Sequence, residues 1–217
     1  MILSSEQTKL IDQHVKDRLG NDFTGHDYAH ILRVVKMAKK LAKSQAGIDL
    51  GVVTAAAYLH DVIDEKLVKS TEDAEKQLSL FMQRIGVSQA DIDQIFDIIT
   101  HMSYAKNLEE RYELSAEGNI VQDADRLDAI GAIGIGRVFY YGGSHEHVIY
   151  DPKIAPRKHM THDQYRENET VINHFYEKLL KLADLMNTEE AKRIAQRRTV
   201  VMQEFLEEFD LEWNQER

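Results

Sequence analysis

Apolar residues recur every three or four positions along most of the chain, the period of amphipathic helices. The first such stretch carries Thr8, Ile11, Val15 and Leu19 inward; Ser4 with Gln7 reads as a capping box ahead of it, and Gly20 stops it. The turn 21–25 follows. A second helix starts near His26 or Asp27 and ends before Gly47, with Ile31, Val34, Val35, Ala38, Leu41 and Ala42 on one face. The third differs. After a capping Asp49, the run from Val52 to Leu59 is apolar but for Thr54. A helix apolar on all sides is normally buried.

Ser70 with Asp73 opens a fourth helix carrying Leu78, Phe81, Met82 and Ile85 and ending at Gly86. Ser88 with Asp91 opens a fifth carrying Ile92, Ile95, Phe96 and Ile99. The polar stretch from Ser103 to Gly118 reads as a loop with room for a short helix. A sixth helix is expected from Asn119 through Gly131, Gly134 and Gly136 to Tyr141. Glycine inside a helix costs about 1 kcal/mol relative to alanine, so three of them predict close backbone packing. Their G-x-x-G-x-G order, with no strand ahead, does not suit a dinucleotide-binding loop. The segment from Gly142 to Met160 holds both prolines and reads as an exposed loop. Thr161 with Gln164 predicts a long seventh helix carrying Tyr165, Ile172, Phe175, Leu179 and Met186. Thr188 predicts an eighth carrying Ala191, Ile194, Ala195, Val201, Met202, Phe205 and Phe209. No alternating strand of useful length occurs. The expectation is an all-α bundle of about eight helices, residues 1–217 forming a single domain.

Composition narrows the chemistry. The chain has 217 residues and no cysteine, which removes disulfides, thiolate metal sites and a cysteine nucleophile. A formal net charge of −10 disfavours a nucleic-acid polymer as partner. No stretch approaches the length of a membrane span, and the N-terminal residues lack the features of a signal peptide. A cytoplasmic location is expected.

The buried third helix ends in Leu59-His60-Asp61. A carboxylate buried without compensation is costly. A salt-bridged pair resolves that cost, and so does a bound cation, for which imidazole and carboxylate are good ligands. His30 shares the inward face of the second helix, where a lone histidine is either a satisfied core residue or a ligand. In Asp123-Ala124-Asp125-Arg126-Leu127-Asp128, three acids fall in six residues. A solvated first helical turn accounts for Asp123. It accounts poorly for Asp125 and Asp128, which lie on the stretch that must pack.

The ordered set His30, His60-Asp61 and Asp125 resembles the HD-domain metal-dependent phosphohydrolases. The residues that carry the likeness are His30-Ile31-Leu32-Arg33-Val34, Leu59-His60-Asp61 and Ala124-Asp125-Arg126-Leu127. Gly25-His26-Asp27-Tyr28-Ala29-His30 and Val121 through Arg137 are further similar to a small bacterial subgroup, some of whose members are nucleoside triphosphate pyrophosphohydrolases. The resemblance implies that His30, His60, Asp61 and Asp125 bind one divalent cation. The subgroup favours Mn²⁺; the mixed nitrogen and oxygen donors also suit Fe²⁺, Co²⁺, Ni²⁺ or Zn²⁺, and Mg²⁺ less well. It also implies a small phosphorylated substrate, a nucleotide, attacked by a metal-bound water. Dinuclear relatives add histidines between the HD pair and the last aspartate. Here His101 is the only one in that interval, which disfavours two metals.

Further candidates surround this set. Asp64, four residues after His60, either orients the attacking water or is a surface carboxylate at a helix end. Lys66 meets a phosphate or is a solvated lysine. His101 either contacts the leaving phosphate or complements a helix dipole. Arg33 and Arg126 hold phosphate or orient the metal carboxylates; His26 and Asp128 complete the substrate side. His145, His147, His159 and His162, in or beside the 142–160 loop, read as surface residues, the alternative being that this loop forms a lid. Two other functions remain: a nucleoside 5′-monophosphatase with the same metal, and a non-catalytic nucleotide-sensing module. A homodimer is compatible with the sequence.

Overall fold

The computed structural model describes the chain apart from residues 2, 21–26, 66, 109–110, 159 and 162–169. It is all-helical, with no strand among the described residues. Two compact units are formed, Met1–Ala124 and Asp125–Arg217.

The first unit is built around α3 (Leu50–Leu59), whose residues from Val52 to Leu59 are all buried. Against it pack α1 (Ser5–Leu19), α2 (Tyr28–Ala42) and α5 (Gln89–His101), and α4 (Thr71–Arg84) lies on α5. Their starts are chemically set. Ser4 and Gln7 make the reciprocal capping box, while Asp27, Asp49, Ser70 and Ser88 each accept a backbone N–H from the first turn they precede. The inward face expected of α2 is buried at all six positions. Elsewhere the stripe is shifted. Thr8 is half-buried and bonds back to the Ser4 carbonyl. Ile98 joins the α5 core while Phe96 stays half-buried.

The expected sixth helix is two helices. The first, α6 (Ala116–Asp128), begins three residues early; the second, α7 (Gly131–Ser144), follows a break at Gly131. Gly131 has φ +78°, a left-handed conformation that ends helical propagation and that L side chains rarely adopt. Close packing holds for only part of the glycine series: a Cβ on Gly134 would lie 2.2 Å from the Ala129 carbonyl oxygen, but one on Gly136 meets nothing within 4 Å. Gly142 belongs to α7, not to the loop, and is buried against Val171.

In the second unit, α9 (Glu189–Trp213) packs on α7 and on a 3₁₀ helix, Leu179–Leu185. Between them, Thr170 caps a short α8 (Val171–Glu177). The predicted start of this helix at Thr161–Gln164, with Tyr165, lies largely outside the described residues. Its later inward positions Ile172, Phe175, Leu179 and Met186 are buried as expected, but in two short pieces. On α9, Val201 is exposed and Leu206 takes a core place. The segment 148–157 is tied down. Arg157 donates to Glu177 from Nε (2.9 Å) and Nη2 (2.7 Å), and Glu177 is 1% exposed. Asn173 Nδ2 donates to the Ile154 carbonyl, and the Val171 and Ile172 amides donate to Val148 and Ile149.

Candidate metal centre

His30 sits in the first turn of α2 and is 1% exposed. Its backbone N–H donates to Asp27 Oδ1 at 2.7 Å, so the helix cap also anchors the residue that carries the imidazole. His60 caps the C-terminus of α3, and Asp61 follows in the turn; both are buried. Asp125, half-buried, lies on the last turn of α6, a continuous helix from Ala116.

These elements converge. The Nε2 atoms of His30 and His60 stand 3.3 Å apart. Asp61 Oδ2 is 3.4 Å from His30 Nε2, and Oδ1 is 3.4 Å from His60 Nε2. His30, His60 and Asp125 each offer one ligand atom, all within 4.8 Å of one another. His60 Nδ1 lies 2.9 Å from the Ala57 carbonyl. A carbonyl only accepts, so Nδ1 carries the hydrogen and, in the neutral ring, Nε2 presents its lone pair to the cluster. This is the usual orientation of a metal-binding histidine. Donors about 2.1 Å from one ion stand about 3.0 Å apart in cis and 4.2 Å in trans. The observed spacings are slightly wider, and the donor set fits a divalent cation.

The remaining candidates fall in different places. The helical premise for Asp64 does not hold. Past Leu59 the chain runs through successive turns, Val62 N–H to Leu59 and Asp64 N–H to Asp61, so Asp64 is not one helical turn beyond His60. It is half-buried, and its backbone carbonyl accepts from the Leu67 and Val68 N–H groups. Arg33 is half-buried on α2. Arg126 is buried and donates from Nη1 to the Leu185 carbonyl, and Asp128 Oδ2 is 3.2 Å from Arg137 Nη1. Both therefore hold protein partners. His26 and Lys66 lie outside the described residues, as do His159 and His162. His145 is exposed and stacks on Tyr141 at 3.9 Å, whereas His147 is half-buried with its Nε2 shielded from solvent.

His101 closes α5 and is well oriented. Tyr112 stacks on it at 3.7 Å and 7°, and its Nδ1 lies 2.7 Å from the Asp97 carbonyl. The Tyr112 hydroxyl donates to Asp97 Oδ1 at 2.7 Å, closing a three-residue bracket. Asp97 was readable as a helical neighbour four positions before His101; Tyr112 carried no spacing signal. Two polar residues near Asp125 were also missed. Asp123 is fully buried rather than solvated, because α6 starts at Ala116 and places it mid-helix. Gln122 is buried and donates to the Met102 carbonyl at 2.9 Å.

A family model for the HD domain matches residues 27–130, which span every member of this cluster. A Bacillus subtilis protein, YpgQ, is 34% identical over 206 residues, covering 94% of this chain and 93% of its own length. The chain belongs to the HD-domain family. A solved Lactobacillus plantarum structure is 47% identical, with TM-score 0.91, covering 98% of this chain and 99% of that one. An HD-superfamily hydrolase from Bacillus thuringiensis is 42% identical with TM-score 0.74, covering 96% and 97%. The crystal structure of B. subtilis YpgQ in complex with ADP is 32% identical with TM-score 0.72, covering 95% and 97%. The fold is that of an HD-superfamily hydrolase, and membership supports a metal-dependent phosphohydrolase in general. Among the described residues, no helix is long and apolar enough to cross a membrane.

Proposed function

We propose that this HD-family protein is a cytoplasmic nucleoside triphosphate pyrophosphohydrolase, acting on ribo- or deoxyribonucleotides with one Mn²⁺-like ion held by His30, His60, Asp61 and Asp125. The observation that carries the reading is the convergence of one ring nitrogen each from the buried His30 and His60 with an oxygen of the half-buried Asp125, all within 4.8 Å of one another. The ADP complex of the related YpgQ supports a nucleotide as ligand.

When bound, the ion supplies positive charge that acidifies water and offsets charge developing on phosphorus. The chain's own residues do the rest. The Ala57 carbonyl fixes the His60 tautomer. Arg33, with Lys66, neutralises the polyphosphate, and Asp64 orients the attacking water and takes its proton. The water oxygen bonds to the α-phosphorus, the bond to the bridging oxygen breaks, and pyrophosphate leaves.

The test is turnover of nucleoside and deoxynucleoside triphosphates with Mn²⁺, with products separated as pyrophosphate or orthophosphate. Loss of turnover in His60→Ala and Asp125→Asn, with helical circular dichroism retained, is expected. Equal turnover by wild type and variants refutes the reading, and release of orthophosphate from monophosphates alone moves the substrate class.

A further inference from the structure

The second unit contains a basic cleft unconnected with any role assigned above. Its volume is 480 Å³, and it lies between the start of α7 and the middle of α9. Such a volume is in the range of small-molecule sites, roughly 300–1,000 Å³. Ile133, Ile194 and Val201 are among its apolar lining residues, and Arg193, Arg197 and Arg198 line it as well. Three cations within six positions are conspicuous in a chain of net charge −10.

The arginines are held differently. Arg193 is braced by Glu190 through Nε–Oε2 (2.9 Å) and Nη2–Oε1 (2.8 Å). Arg197 is exposed and makes no ion pair with a described residue. Arg198 is half-buried. Its stem presses on Gly131, where an added Cβ would lie 3.0 Å from Arg198 Cβ and Cγ, and its Nη1 donates to the Leu127 carbonyl. That bond uses one of five guanidinium N–H donors. Burial lowers the Arg198 pKa from its ordinary value, against the opposing pull of Asp128, and Asp128 is itself engaged by Arg137. A half-buried cation served chiefly by a neutral carbonyl gains from an anion. The adjoining start of α7 has no side-chain cap, so its first N–H groups add to the positive potential.

We propose that this cleft binds an organic phosphate: the anion is gripped by Arg193, Arg197 and Arg198, and the apolar body lies against Ile133, Ile194 and Val201. Guanidinium groups match phosphate oxygens in charge and in hydrogen-bond geometry. The isoleucine and valine walls favour a ligand with a flat or apolar body over a bare ion, which makes a nucleoside diphosphate a better occupant than pyrophosphate.

The experiment uses the full chain with ¹³C-labelled isoleucine methyls, in chelator so that metal-bridged binding is absent. ADP, inorganic pyrophosphate and adenosine are titrated separately. The Ile133 and Ile194 methyls shift with ADP and with pyrophosphate, more tightly with ADP, and do not shift with adenosine. The Arg193→Gln/Arg197→Gln variant, altered at two exposed positions, weakens ADP binding about tenfold or more. Its Mn²⁺-dependent triphosphate turnover stays at the wild-type level, a readout separate from this cleft. Methyl shifts absent with both anions overturn the proposal, as do shifts equal in the variant. Shifts that follow protein concentration without ligand overturn it too, and mark the face as an interface between copies.

Discussion

Alanine at Gly134 and at Gly136 should move stability in opposite directions, although the two sites lie two residues apart on one helix. At Gly134 a Cβ would stand 2.2 Å from the Ala129 carbonyl oxygen and 2.6 Å from its carbon. The obstacle is backbone, so relief requires the α6–α7 junction to shift. Overpacking of this kind costs about 1–3 kcal/mol. A clash this close belongs at the upper end, and the better helix propensity of alanine returns about 1 kcal/mol. Gly134→Ala should therefore lose about 2 kcal/mol. At Gly136 nothing lies within 4 Å, so Gly136→Ala should gain up to about 1 kcal/mol. Urea unfolding followed by circular dichroism measures both as midpoint shifts at unchanged slope. The displaced carbonyl is one turn past Asp125, so Gly134→Ala should also weaken metal binding. A Gly134→Ala protein as stable as wild type, or two variants shifted in the same direction, refutes the packing argument.

Glu177→Ala should destabilise by about 3 kcal/mol, because it removes the buried carboxylate that accepts from both the backbone N–H and the guanidinium of Arg157; thermal unfolding of the purified variant measures it. Asp27→Ala removes the acceptor of the His30 backbone N–H and should cost about 1 kcal/mol, with a parallel rise in the metal dissociation constant seen by calorimetry. His14 is stacked on Phe81, and burial, aided by Arg18 and opposed by Asp17, lowers its pKa from 6.5 to about 4. Its contribution is therefore full above pH 6.5 and disappears as pH falls through 4. Discounted for its partial exposure, it is worth about 1–2 kcal/mol. His14→Gln should flatten the acid limb of the stability profile, and an NMR titration midpoint near 6.5 would contradict the assignment.

The parts legible in the sequence were those governed by local chemistry. Capping side chains at Ser4, Asp49, Ser70, Ser88 and Thr188 marked helix starts, and the apolar run from Val52 to Leu59 marked the helix that its neighbours surround. The order His30, His60-Asp61, Asp125 pointed to the cluster because each residue sits on, or at the end of, a stretch that must pack. What was hidden depends on tertiary context. The break at Gly131 is written in a positive φ, which a glycine permits but does not announce. Asp123 looked like a first-turn acid until the helix was found to start seven residues before it. The Arg157–Glu177 pair joins residues 20 apart, with no periodicity to betray it.

The most direct test is anomalous diffraction at the manganese edge from crystals grown with Mn²⁺. One strong peak is expected within about 2.3 Å of His30 Nε2, His60 Nε2 and carboxylate oxygens of Asp61 and Asp125. A manganese peak elsewhere in the molecule, with His30 and His60 still hydrogen-bonded to each other, would contradict it.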